Sequence, residues 1–172
     1  NPSKNKHSDA EIIAIIKRKK EYIEQKKYSW IRNLNIYVFN SLEIDIKTNG
    51  SLAIPEKALD YLDFAIVSVH SVFDLSRGQM TKRILRALEH PKVKILGHPT
   101  GRLLNKREGY EIDWDRIFAF CQRNKKFLEI NAHPERLDLP DVLVREAVKN
   151  GVKLVINTDS HAVDQLGYLR YG

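Results

Sequence analysis

The sequence has one cysteine in 172 residues, Cys121, so no internal disulfide is available. Nothing in it asks for an oxidising compartment, and the cytoplasm is the default location. It has no apolar run near the ~20 residues that a membrane span needs, and no membrane partner is expected. The opening stretch, Asn1 to Asp9, is polar and has no signal-peptide core. An initiating methionine is missing, which is expected of a fragment or a processed chain. No low-complexity tract, short repeat or linker divides the chain, so residues 1–172 read as a single domain. Charge of one sign is in excess. The formal net charge is +7, which favours a polyanionic partner such as nucleic acid. Much of that excess lies in Lys17, Arg18, Lys19, Lys20, Lys26 and Lys27 on one predicted helix, where a solvated helix face is the plainer explanation.

What is present is alternation. Ser8 and Glu11 have capping-box spacing and start a helix that carries Ile12, Ile13, Ile15, Ile16 and Ile23 and ends near Lys27, with a loop at Tyr28–Asn33. Beyond it, short β-rich runs alternate with helical stretches. The expected strands are Ile36–Val38 running on through Leu42–Ile46, then Phe64–Val69, Val93–Leu96, Phe127–Ile130 and Leu154–Ile156. Four are continuous apolar runs, as expected of parallel strands covered on both faces. Helices are expected from Pro55, over Gln79–Glu89, over Trp114–Asn124 with Asp113 as its cap, and over Pro140–Lys149 with Gly151 at its exit. This order implies an α/β fold with a parallel sheet or barrel.

Residues able to hold metal or phosphate recur at the strand ends. Glu43 lies within one strand, His70 directly follows the next, and His98 comes two residues after Leu96. Glu129 and Asn131 close the fourth strand, and Asp159 and His161 follow the last. In parallel α/β folds the C-terminal strand ends meet at one face, where sites are assembled. A mixed His, Asp and Glu set suits divalent zinc, manganese or iron, and polarises a phosphoryl oxygen while lowering the pKa of a bound water towards ~7. Asp45 is a second carboxylate on the same strand face as Glu43. Arg102 and Arg136 offer planar forks for phosphate oxygens, or else make ordinary loop salt bridges. Asn131 is expected to orient a ligand or touch phosphate, and His133 to touch metal or substrate or to make a loop hydrogen bond. Cys121, Trp30 and Trp114 read as packing residues, and His7 and His90 as surface residues.

The strings SLEIDI around Glu43, SVHS around His70, GHPTGR from Gly97, LEINAHPERLDL from Leu128 and NTDSH ending at His161 stand in this order over about residues 36 to 161. In this combination the chain resembles the PHP family, the polymerase and histidinol phosphatase domains, and most of all those attached to bacterial and archaeal family X DNA polymerases. The resemblance implies a distorted (β/α)7 TIM-like barrel, and a centre of up to three divalent ions, Mn2+ or Zn2+, with Fe2+ or Mg2+ as alternatives. It makes Glu43, His70, His98, Asp159 and His161 metal ligands. Glu43, His70, Asp159 and His161 are also the catalytic set, and Arg102, Arg136, Asn131 and His133 are the substrate-binding set. The implied activity is phosphoester hydrolysis, a manganese-stimulated 3′–5′ exonuclease that processes DNA 3′ ends in repair beside a polymerase domain. A histidinol-phosphate type of small-molecule phosphatase and a non-catalytic module that supports a polymerase or binds DNA are the alternatives.

The departures fall at the start. The family opens on a His-x-His strand, an Asp and a T-D-H-S segment, which supply four further ligands, and none is seen in this sequence. If Asn1-Pro2-Ser3-Lys4 aligns with the end of the T-D-H-S-K segment, Pro2 stands where the histidine belongs. The expected barrel is therefore incomplete at its N-terminus, and the chain is expected to be the C-terminal portion of the domain. Ser41 stands where the family prefers glycine, and His133 where it often has asparagine.

Overall fold

The computed structural model describes residues 6–31 and 36–172. Its elements follow in the order α1 (Asp9–Ile31), β1 (Ser41–Asp45), a 3-10 helix (Glu56–Tyr61), β2 (Phe64–Ser68), α2 (Arg77–Leu88), β3 (Val93–Leu96), α3 (Trp114–Asn124), β4 (Phe127–Asn131), α4 (Asp141–Lys149), β5 (Lys153–Asn157) and a 3-10 helix (Asp164–Tyr171). The strands form one parallel sheet in the order β1-β2-β3-β4-β5. The α/β class is as expected. Each strand lies beside its predecessor, and right-handed crossovers then place successive helices on one face of the sheet. The other face carries Glu43 together with apolar Ile66 and Ile95, and the polar residues gather towards its C-terminal strand ends.

Period-two alternation decides which side chains face which way. Leu42, Ile44 and Ile46 of the β1 segment and Ala65, Val67 and Val69 of the β2 segment are buried in the core. They join Met80, Ile84 and Leu88 of α2 and Ile117, Phe118 and Cys121 of α3. Each fully buried large aliphatic chain contributes about 1.5–3 kcal/mol relative to exposure. Glu43, Asp45, Ile66 and Ser68 alternate with these and project to the opposite face. Burial pushes the Cys121 thiol up to about 12. In the native protein at pH 8, Cys121 should therefore resist iodoacetamide for hours and react in minutes once urea unfolds the chain. Mass spectrometry of the native protein checks this, and rapid native labelling would show the core to be open.

Several boundaries differ from the sequence reading. The capping box at Ser8 is present, with Ser8 N–H donating to Glu11 Oε2 at 2.7 Å and Glu11 N–H to Ser8 Oγ at 3.3 Å. α1 does not stop near Lys27 but runs to Ile31, since no glycine or proline interrupts it there; residues 32 and 33 of the expected loop lie outside the described residues. Among its residues whose burial is described, Ile12 and Ile16 are the fully buried apolar ones. The basic run of α1 forms i,i+4 pairs, Lys17–Glu21 at 4.0 Å and Lys20–Glu24 at 3.7 Å, worth a few tenths of a kcal/mol each. Ile36–Val38 is not a strand. Ser41 pairs with Phe64, the first residue of β2, and among the described residues no strand lies beside Ile36–Val38. α2 begins at Arg77, two residues before the expected start, on a Ser76–Gln79 capping box. Pro140 is the cap of α4 and not its first turn. β5 is an edge strand whose Ile156 is 44% exposed, so it is not covered on both sides. Asp113 caps α3, and Gly151 leaves α4 with φ +71°, both as expected. Among the described residues no helix is long and apolar enough to cross a membrane.

Candidate metal centre

The middle of β1 and the exits of β2 and β3 deliver Glu43, His70 and His98 to one point. Their ligand atoms lie within 4.8 Å of one another, and among the described residues they are the one such group of His, Cys, Asp and Glu. Glu43 Oε1 is the hub. It accepts from Ser68 Oγ at 2.7 Å, lies 3.0 Å from His98 Nε2 and lies 3.5 Å from His70 Nε2. The two imidazoles meet edge to face, with centroids 5.0 Å apart. Burial alone would raise the Glu43 pKa. The hydrogen bonds from His98 and Ser68 and the charges of His98 and His70 outweigh it and hold the carboxylate down at about 2.

Asp45, the alternative carboxylate, has a different place. Its Oδ1 accepts from the His70 backbone N–H at 3.2 Å and lies 3.6 Å from His70 Nδ1, on the side of the ring away from Glu43. The Asp45 interaction raises the His70 pKa, with burial opposing it. A carboxylate behind an imidazole is the usual device for orienting a metal-binding histidine.

His98 is 2% exposed. Its Nδ1 is buried with no hydrogen-bond partner, while Nε2 faces Glu43 Oε1. Either neutral tautomer leaves a lone pair unmatched, on Nδ1 or on Nε2 against a carboxylate oxygen. A divalent cation shared by two imidazoles and one carboxylate takes up the Nε2 lone pair that would otherwise face Glu43 Oε1, so this donor set fits such an ion, with Nδ1 carrying the proton.

The other expected residues gather nearby but do not join this group. Asp159, with φ +51°, accepts from Asn131 Nδ2 at 3.2 Å and lies 3.3 Å from Arg136 Nε. His161 is exposed; its Nδ1 sits 2.9 Å from the Asp159 carbonyl, and its N–H donates to Gln165 Oε1. Asn131 is buried between Glu129 and Asp159, and its Oδ1 accepts from His133 N–H. His133 makes a loop hydrogen bond, with Nδ1 accepting from Glu135 N–H, and packs edge-on against Tyr168. Arg102 binds backbone rather than a carboxylate, through Nε to the Arg136 carbonyl and Nη2 to that of Leu137. Arg136 Nη1 is buried with no hydrogen-bond partner, beside Asp159.

Behind the His98 turn, Asp138 is buried and accepts from Thr100 N–H and Gly101 N–H. The predicted tight turn at Gly101 has φ +67°, and a Cβ there would lie 2.5 Å from Tyr110 Cε1, so only glycine fits. Sequence reasoning passed over Ser68 and counted Glu129 only as a strand-end residue able to hold metal or phosphate, not as an anchor for its neighbours. Strand alternation was the available signal, because it places Ser68 with His70 and Glu129 with Asn131.

No family model matches the chain. It is 38% identical over 138 residues to a DNA polymerase/3′-5′ exonuclease PolX of Bacillus subtilis, covering 80% of this chain and 24% of that protein. It is 32% identical over 143 residues to a probable phosphatase of Clostridium acetobutylicum, covering 77% of this chain and 56% of the relative. A probable phosphatase of Thermoanaerobacter sp. is 28% identical over 144 residues, with the same shares. The matched region thus spans about a quarter of the polymerase and just over half of each phosphatase. These relatives are phosphoric-ester hydrolases by name, and the five motifs stand in family order around a cluster suited to a divalent ion. The chain's similarity to a polymerase/exonuclease and to probable phosphatases is consistent with a PHP domain of the kind attached to family X polymerases.

Proposed function

We propose that this chain is the C-terminal portion of a PHP phosphoesterase that removes nucleotides from DNA 3′ ends, in the cytoplasm, beside a family X polymerase domain in DNA repair. The observation that carries the reading is the convergence of Glu43, His70 and His98 on one point. The same reading takes the five strands as part of a (β/α)7 barrel and makes Asp159 and His161 further ligands, with Mn2+ or Zn2+ ahead of Fe2+ or Mg2+, up to three ions in the complete centre. When bound, such ions polarise the phosphoryl group and supply a nucleophilic water at neutral pH. Glu43, His70 and His98 hold one ion, and Asp45 and Ser68 orient His70 and Glu43. Arg136 brings its buried, unpartnered Nη1 to the phosphate, and Arg102 holds the Arg136–Leu137 backbone in place. The polymerase relative's name and the net charge of +7 support DNA as substrate.

A 3′-labelled single-stranded oligonucleotide should release mononucleotides with Mn2+ and not with EDTA, and His161→Ala should abolish the release. The names of the phosphatase relatives favour a second reading, a small-molecule phosphatase. Faster turnover of a phosphomonoester than of the oligonucleotide would select it. Well under one equivalent of bound metal, with neither substrate turned over, would sink both readings and leave a non-catalytic module.

A further inference from the structure

β4 brings no side chain to the three-residue cluster, although it lies between β3, which leads to His98, and β5, which leads to Asp159. Its residues Glu129 and Asn131 are both buried. Glu129 Oε2 accepts from the His98 backbone N–H at 2.5 Å and from Asn131 Nδ2 at 3.3 Å. Glu129 Oε1 accepts from Asn157 Nδ2 at 2.6 Å. The same Asn131 Nδ2 also donates to Asp159 Oδ2. One buried carboxylate therefore holds a donor from the exits of β3, β4 and β5. The backbones of His98 and Asp159 have φ of +26° and +51°, conformations that L residues keep only when their surroundings impose them. Gly97 allows the approach. A Cβ there would lie 3.1 Å from Ile66 Cγ2, 3.5 Å from Glu129 Oε2 and 3.7 Å from Glu43 Oε1.

We propose that Glu129 is a positioning residue, a buried carboxylate that sets the spacing between His98 and, through Asn131, Asp159 without itself binding the ion. This rests on the metal-centre reading above. It also explains why a strand without a ligand ends in Glu-Ile-Asn: the residues on its polar face tie together the strands on either side.

Two substitutions separate positioning from bulk. Glu129→Leu keeps similar volume but removes every acceptor. Glu129→Gln keeps one oxygen for the His98 N–H, and the Asn157 amide can turn over to accept from the new NH2 group. In calorimetric titration of the metal-free protein with Mn2+, Glu129→Leu should weaken binding about 10–100-fold, the usual effect of losing an outer-shell partner, and Glu129→Gln should recover most of it. A second readout needs no metal. The His98 amide proton should resonate far downfield and exchange slowly in the wild type and in Glu129→Gln, and lose both properties in Glu129→Leu. Unchanged Mn2+ affinity in Glu129→Leu overturns the proposal, as does an unaltered His98 amide. A wild type that binds no Mn2+ sinks the metal-centre reading and this role with it, and the amide experiment then shows whether the Glu129 anchor itself exists. If Glu129→Leu does not fold, Asn157→Ala frees Oε1 and should weaken Mn2+ binding several-fold; wild-type affinity there also overturns the proposal.

Discussion

Glu43→Gln is expected to empty the Glu43–His70–His98 group of metal and to lower phosphoester hydrolysis about 10³-fold or more, roughly 4 kcal/mol of transition-state stabilisation. The shape of the side chain is kept, so the effect isolates charge. Glu43 Oε1 is the one atom that both imidazoles and the Ser68 hydroxyl address. The same network holds the carboxylate at about 2, so it is an anion at every working pH. A glutamine offers a neutral oxygen on one side and an N–H that faces the same donors on the other. Metal content by elemental analysis, and the rate at saturating Mn2+, check the prediction. The metal-free variant should melt within a few degrees of the wild type, because Glu43 is only half-buried and sits outside the apolar core. Wild-type metal content together with a wild-type rate would refute the assignment of the centre.

Arg83→Met is expected to cost about 3–5 kcal/mol of stability, a large share of the ~5–15 kcal/mol that holds a domain together. Arg83 lies on α2 and is 2% exposed. Its guanidinium is spent on main-chain carbonyls: Nε on Ile46 and Lys47, Nη1 on Ser71 and Val72, and Nη2 on Ile46 again. These carbonyls stand where the chain leaves β1 and β2, the exits that follow Glu43 and carry His70. Methionine fills much of the volume but leaves at least four carbonyls without that donor, each worth about 1–3 kcal/mol where water does not replace it. Urea unfolding of the metal-free protein measures the loss, with an expected fall in melting temperature of about 10 °C. A loss under 1 kcal/mol would mean that water satisfies these carbonyls and that Arg83 is not the clasp between the two exits.

Nothing about Arg83 in the sequence marks it. It is one of many basic residues; helical spacing sets it beside Met80, Ile84 and Ala87, but no local pattern names the carbonyls it binds. Its burial follows from where the β1 and β2 exits bring their carbonyls, which is a matter of chain path. Arg102 is a similar case. Placed four residues after His98 it reads as a phosphate ligand, yet it binds the carbonyls of Arg136 and Leu137, more than thirty residues away in the chain. The Ser8–Glu11 cap, the Asp113 cap and the Gly101 turn were legible because each depends on residues within a turn of one another, or on a backbone angle that only glycine takes easily. Ile36–Val38 was misread for the opposite reason: a strand needs a neighbour, and β2 begins too late to provide one.

Alternation of strand and helix, with polar residues at successive strand ends, led from sequence alone to a parallel α/β sheet or barrel with Glu43, His70, His98, Asp159 and His161 converging at one face, of which the structure groups the first three. It did so because strand period and crossover hand leave few other arrangements. Which atoms meet was decided only by tertiary structure. Glu43 rather than Asp45 faces both imidazoles, and Asp45 lies behind His70. Asp159 is turned towards Asn131 and Arg136, and Glu129 ties the exits of three strands together. Those outcomes depend on strand register and loop path, which place residues far apart in the chain within one hydrogen-bond length, and no local pattern encodes that distance.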